Sequence, residues 1–155
     1  MKEYFLRLFA YNLWANEITL DSLKKYKITD DYCLQMFSHI VNAQYIWHRR
    51  LTEQPNDYKI WDKWSIEQMQ NALTENHALW QTYLNKLTPQ ELSRTFEYKN
   101  SAGDTFTNNV QDCLVHLINH ATYHRAQVAK RLRELGFVPQ NTDYITYCRL
   151  IGSKI

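Results

Sequence analysis

The chain has 155 residues, 45 % of them hydrophobic, with only three Gly and three Pro, and its 18 Lys and Arg against 16 Asp and Glu leave a net charge of +2. That length carries one ordinary core and excludes two, and so few turn residues argue against a small sandwich or barrel and favour long helices. A charge balance this even argues against nucleic-acid binding, which shows as a basic excess or stripe.

Three cysteines (Cys33, Cys113 and Cys148) are odd in number and form no CxxC pair. Neither a disulfide framework nor a Cys-based zinc site is expected, and a reducing cytoplasmic setting fits. MKEYFLRLFAYNLWANE, interrupted by Glu3, Arg7 and Asn12, does not read as a signal peptide. No apolar run approaches the ~18–20 residues of a membrane span.

The first predicted helix runs from about Lys2 to Lys25, with Phe5, Phe9, Leu13, Leu20 and Leu23 recurring at helical intervals. Thr29, Asp30 and Asp31 are good N-cap types. They open a second helix that reaches about Leu51 and carries Met36, Ile40, Ala43, Trp47 and Leu51 on its buried stripe. TEQPNDYKIWDKW, broken at Pro55-Asn56, reads as a loop. Ser65 and Gln68 form a capping-box pattern for a third helix, which buries Met69, Leu73, Leu79 or Trp80, Tyr83 and Leu87 and stops before Pro89. TFEY and DTFT alternate around Asn100-Ser101-Ala102-Gly103 and predict a short β-hairpin between helices three and four. The fourth helix runs from near Asn108 to Gly136, a C′ glycine followed by Pro139, and the tail adds a helical turn or two. The expected fold is all-α, a four-helix bundle forming a single domain over residues 1–155.

Among six histidines, His116, His120 and His124 form a ladder on the fourth helix. A four-residue spacing brings imidazoles of neighbouring turns within reach of one metal ion. All three cannot serve one ion, because His116 and His124 stand about 12 Å apart along the axis at ~1.5 Å per residue. On a wheel started at Val110 the apolar residues fall within about 40°, His124 near −40°, His120 near −80° and His116 near −120°. The pair His120 and His124 is therefore preferred, and His116 turns toward solvent or a partner. On the second helix His39 lies about 60° from Met36, flanking the apolar stripe, whereas His48 lies about 120° away, outside it. His39 is the inward candidate for a third ligand. Three neutral imidazoles leave positions open for water or substrate, as catalytic metal sites do. A single His on an apolar flank is more often a hydrogen-bonded core residue, and the spacing alone leaves both readings open.

YNLWAN (Tyr11–Asn16), SHIVNAQYIWHRRL (Ser38–Leu51), NHATYHRAQV (Asn119–Val128) followed by RLRELG, and PQNTDYITY (Pro139–Tyr147) together resemble the DinB-like superfamily of damage-inducible, YfiT-related bacterial proteins. The resemblance spans nearly the whole chain, and N-H-x-x-x-H-R-x-Q is its most specific part. It implies a four-helix bundle with a long crossover and a divalent metal on three histidines, which by position are His39, His120 and His124. Ala126 stands where the family often has Gly, a small change on a helix. The resemblance also implies a dimer. It offers branches that transfer low-molecular-weight thiols such as bacillithiol, mycothiol or glutathione to electrophiles, and others called metal-dependent hydrolases.

The expected function is thus a divalent-metal-dependent enzyme that transfers a low-molecular-weight thiol to an electrophilic small molecule. The alternatives are a hydrolase, or a stress-response or ligand-binding module with a bound metal. Ala121 follows His120, so the Glu of the HExxH protease pattern is absent, which favours thiol transfer. No cysteine lies among the ligands, so the nucleophile comes from outside. Three imidazoles suit Zn, Ni, Fe and others alike. Asn12 and Asn16 are expected as core amides bonded to backbone, and Arg125 in a surface or inter-helix salt bridge sooner than on an anionic substrate. Gln127 is either a partner behind the site or merely exposed. The five tryptophans are expected to pack core and loop, with Trp61 and Trp64 as a less favoured roof over a pocket. Trp14, about 180° from Phe5 on its wheel, is expected to find cover in a homodimer.

Overall fold

Residues 1–152 are described by the computed structural model. In chain order they form α1 (Lys2–Lys25), α2 (Asp31–Leu51), α3 (Ile66–Asn85), α4 (Pro89–Ser93), β1 (Thr95–Lys99), β2 (Thr105–Asn109), α5 (Val110–Glu134) and α6 (Tyr144–Gly152). The helix starts follow from their caps. Asp30 accepts from the Cys33 N–H at 3.0 Å, and Ser65 and Gln68 satisfy one another's backbone N–H groups in a full capping box. Asn109 caps α5 by accepting from the Asp112 N–H at 2.7 Å. Gly136, at φ +85°, supplies the left-handed residue that ends α5. The antiparallel hairpin pairs Thr95 with Asn109 and Lys99 with Thr105. Helix α4 was not expected; Thr88 caps it and Pro89 opens it.

The long helices α1, α2, α3 and α5 form the bundle. α1 packs on α3 and α5, and α2 packs on α5 and α3, so the consecutive helices α1 and α2 lie across a diagonal. Contacts of Asp30 with Arg131, His39 with His120 and Trp47 with His116 run α2 antiparallel to α5. Those of Ser38 with Met69 and His48 with Trp80 run it parallel to α3. The connection from α2 to α3 must therefore travel back along the length of α2. It is fastened on the way: Tyr58 stacks on Tyr45 at 4.3 Å, Asn42 donates to the Asp62 carbonyl at 3.0 Å, and the Trp64 N–H donates to Ser38 at 2.9 Å. This is the long crossover that the family resemblance implies.

One apolar cluster gathers Phe5, Phe9, Trp80, Leu84, Val110 and Leu114, and a second gathers Leu20, Leu23, Phe37, Ile40, Met69, Val128 and Leu132. Each fully buried Leu or Phe contributes about 1.5–3 kcal/mol. Trp14 does not wait for a partner chain: α6 lies against it, with Tyr147 at 5.5 Å and the Tyr11 hydroxyl donating to the Thr142 carbonyl at 3.0 Å. Among the described residues no helix is long and apolar enough to cross a membrane.

Candidate metal centre

Across the seam between α2 and α5, His39, His120 and His124 offer nitrogen atoms that all lie within 4.8 Å of one another. The helical wheels and the resemblance pointed to the same three. His39 is buried, at 4 % exposure, and the other two are half-buried.

Two of the rings are held from behind. The His39 Nδ1–H donates to the Ile60 carbonyl at 2.9 Å, and the His124 Nδ1–H donates to Gln127 Oε1 at 2.7 Å. Both bonds put the ring proton on Nδ1 and leave Nε2 with a bare lone pair. The Nε2 atoms of His39 and His120 face each other at 2.9 Å. Two lone pairs cannot meet at that distance, so a proton or a cation has to lie between them. Two nitrogens at ~2.0–2.1 Å from a tetrahedral zinc stand about 3.4 Å apart. His39 and His120 need to part by only about 0.5 Å to share such an ion, and the donor set fits a borderline divalent metal.

Burial lowers the pKa of each imidazole. His120 is pushed down to about 3, by desolvation first and then by its neighbours His39, His124 and His116. Desolvation likewise lowers His39 and His124, against the bonds from Ile60 and Gln127, which raise them. Neutral rings are what a metal requires. Among the described residues no carboxylate hydrogen-bonds to any of the three. Cys33 and Cys113 are buried and free, with thiols that burial pushes up to about 12, so neither supplies a thiolate here.

Around this trio several expectations change. Trp61 does roof the site: its ring stacks on His39 at 4.1 Å and 13°, while Trp64 packs instead beside Tyr45 and Tyr58. His116 stays outside the cluster, one turn beyond His120 at 5.3 Å between ring centres. His48 is not on an open face. It is buried against α3, edge-on to Trp80 at 5.3 Å, because α2 is covered by two neighbours and not one. Gln127, left open by sequence, is the partner of His124.

Arg125 needs the largest correction. It is 2 % exposed and forms no ion pair among the described residues. Its Nη1 donates to Asn12 Oδ1 at 2.7 Å and Asn16 Oδ1 at 2.8 Å, and its Nη2 to the Tyr11 hydroxyl at 3.2 Å and Thr122 at 2.9 Å. The two asparagines are buried as expected, but their oxygens answer a guanidinium and not the backbone. The Ile60 carbonyl could not have been found from residue types, since any residue offers one.

The segments that build the trio and the Arg125 cradle are those that carried the resemblance, and the DinB family model matches residues 1–152. The chain belongs to the DinB family. It is similar to Protein DinB of Bacillus subtilis (strain 168), at 24 % identity over 167 aligned positions that cover 95 % of each chain. Within the DinB family assignment, the three-histidine cluster is a place where this chain can hold a metal ion.

Proposed function

We propose that His39, His120 and His124 hold a divalent ion (zinc, nickel or iron) and that the protein transfers a low-molecular-weight thiol to an electrophilic small molecule. The observation that carries this reading is three neutral imidazoles converging with, among the described residues, no carboxylate bonded to any of them. A bound divalent ion lowers the pKa of a thiol and so favours its thiolate. The S–H proton passes to solvent, the sulfur forms a bond to the electrophilic carbon, and the leaving group departs with the electron pair of the bond that breaks. His39 and His124 keep their lone pairs aimed inward through Ile60 and Gln127, and Trp61 shields His39 on one ring face. Hydrolysis is the weaker alternative, because activation of water in this setting is helped by a general base. Among the described residues none of the three imidazoles has a carboxylate partner.

The family supports a homodimer, and the three free cysteines suit a reducing cytoplasm. The test is an assay of metal-loaded protein with a panel of thiols and a chlorinated dinitroarene. Metal-dependent formation of the S-aryl product is expected. Metal-dependent turnover with water alone, and none with any thiol, would overturn the transfer reading in favour of a hydrolase.

A further inference from the structure

Away from the imidazoles, three buried side-chain nitrogens have no hydrogen-bond partner among the described residues: Asn16 Nδ2, Trp80 Nε1 and Arg125 Nε. Asn16 and Trp80 are each 1 % exposed, and Arg125 is 2 % exposed. An N–H so deeply placed is costly unless something accepts from it, and native interiors nearly always supply the acceptor.

The residues that carry these nitrogens line two small cavities. Asn16 and Trp80 line the first, of about 10 Å³, between α1, α2 and α3, where Gln44 also contributes to the wall. Arg125 lines the second, of about 10 Å³, with Thr19 and Ser22 of α1 and with Gln140 and Thr142 of the segment that leads into α6. The orphaned atoms are fixed by what their neighbours already do. A guanidinium only donates, so Asn16 has to turn its Oδ1 to Arg125 Nη1, at 2.8 Å, and Nδ2 is the end left over. The terminal nitrogens of Arg125 are spent on four oxygens, which leaves Nε.

We propose that each cavity binds one internal water molecule, and that the two waters complete the polar layer around Arg125. The charge of Arg125 has no carboxylate beside it, yet room of about 10 Å³ suits a single water and not a chloride or a carboxylate. Water also matches the chemistry of both walls. In the first cavity it accepts from Asn16 and Trp80, and Gln44 offers an oxygen for its own hydrogens. In the second it accepts from Arg125 Nε and donates to the hydroxyl oxygens of Thr19 and Ser22, whose protons already go to the carbonyls of Ala15 and Ile18 at 2.8 and 3.0 Å. A halide has no hydrogen to give these oxygens. The first water joins α1 to α3, and the second joins α1 and α5 to the segment before α6. Neither depends on a metal at the three histidines.

Both donors carry protons that NMR observes separately, the Trp80 indole N–H and the Arg125 Nε–H. Each is expected to show a cross-peak to water with the sign of a long-lived direct contact and not of proton exchange. High-resolution crystallography should place one density peak in each cavity, about 2.7–3.2 Å from Trp80 Nε1 and from Arg125 Nε. Ala129 lines the second cavity, and the added methyl groups of Ala129→Val take up its room. That variant should lose the Arg125 cross-peak and keep that of Trp80, with thermal melting as the check on folding. Absence of the direct cross-peak in the wild-type protein overturns the site concerned, as does an Arg125 cross-peak that survives in folded Ala129→Val. If Ala129→Val does not fold, the wild-type cross-peaks and density decide. An anomalous bromide signal at either peak, in crystals grown with bromide, would replace the water by an anion and overturn the proposal there.

Discussion

His124 and Arg125 are neighbours in the chain, yet they serve two different seams of the same helix. His124 faces α2, where three imidazole nitrogens lie within 4.8 Å of one another and His39 and His120 meet at 2.9 Å. Arg125 faces α1, where Asn12, Asn16 and Tyr11, with Thr122 of its own helix, surround its terminal nitrogens with oxygen. Both seams are polar and enclosed. The difference is one of kind: guanidinium ends met by oxygens make a structural joint, although Arg125 Nε and Asn16 Nδ2 stay without partners among the described residues, whereas imidazole nitrogens gathered together make a place for a cation.

Losing any one of His39, His120 and His124 to Ala is expected to have the largest effect, a fall of more than about 100-fold in metal affinity, beyond what loss of an outer partner causes. Metal per chain on folded variants measures it. His116→Ala and His48→Ala should stay near wild type. Full occupancy in His124→Ala with an empty site in His116→Ala would move the site one turn along α5. Next, Arg125→Met strands the oxygens of Asn12 and Asn16 and should cost about 3 kcal/mol of stability, read from the denaturant midpoint. Its folded fraction should keep its metal; loss of metal at unchanged stability would merge the two seams into one site.

Gln127→Ala should lower metal affinity about 10–100-fold through the freed ring of His124, with stability within about 0.5 kcal/mol of wild type. Unchanged affinity would mean that α5 packing alone aims that ring. The smallest effect belongs to Asp30, whose carboxyl Arg131 holds below its ordinary value of 3.8, at 2.7 Å. A depressed pKa contributes stability above that ordinary value and loses it as pH falls through the folded one. Asp30→Asn retains a capping oxygen, so it should cost about 1 kcal/mol or less at pH 7. The gap to wild type should close in acid, and urea midpoints taken at neutral pH and below the ordinary value test that.

Helix limits were legible because caps and scarce Gly and Pro mark them locally: α1 spans Lys2–Lys25 and α2 spans Asp31–Leu51, as the periodicity predicts. Helix α4 was missed because its five residues are too few for a period, although Thr88-Pro89 is a cap signature. That His39, His120 and His124 come together was legible because spacing and wheel position act within one helix, and a second inward His narrows the choice. His48 was misread because a wheel with one apolar stripe fails for α2, which is buried on every side from Met36 to Ile46. Arg125 was misread for a different reason. Its partners Asn12 and Asn16 lie 113 and 109 residues away, and only packing brings them there.

The crossover has a thermodynamic consequence. The carbonyl that orients His39 sits on a segment fastened to α2 by a few hydrogen bonds and ring stacks, not on a helix. Such a segment opens at lower cost than the core, and opening it removes both the Ile60 acceptor and the Trp61 cover from the imidazole. Occupation of the imidazoles and closure of the strap are therefore linked equilibria, and linkage is reciprocal. Whatever steadies the strap from its outer side raises the affinity within, and a cation within slows amide exchange across residues 58–64.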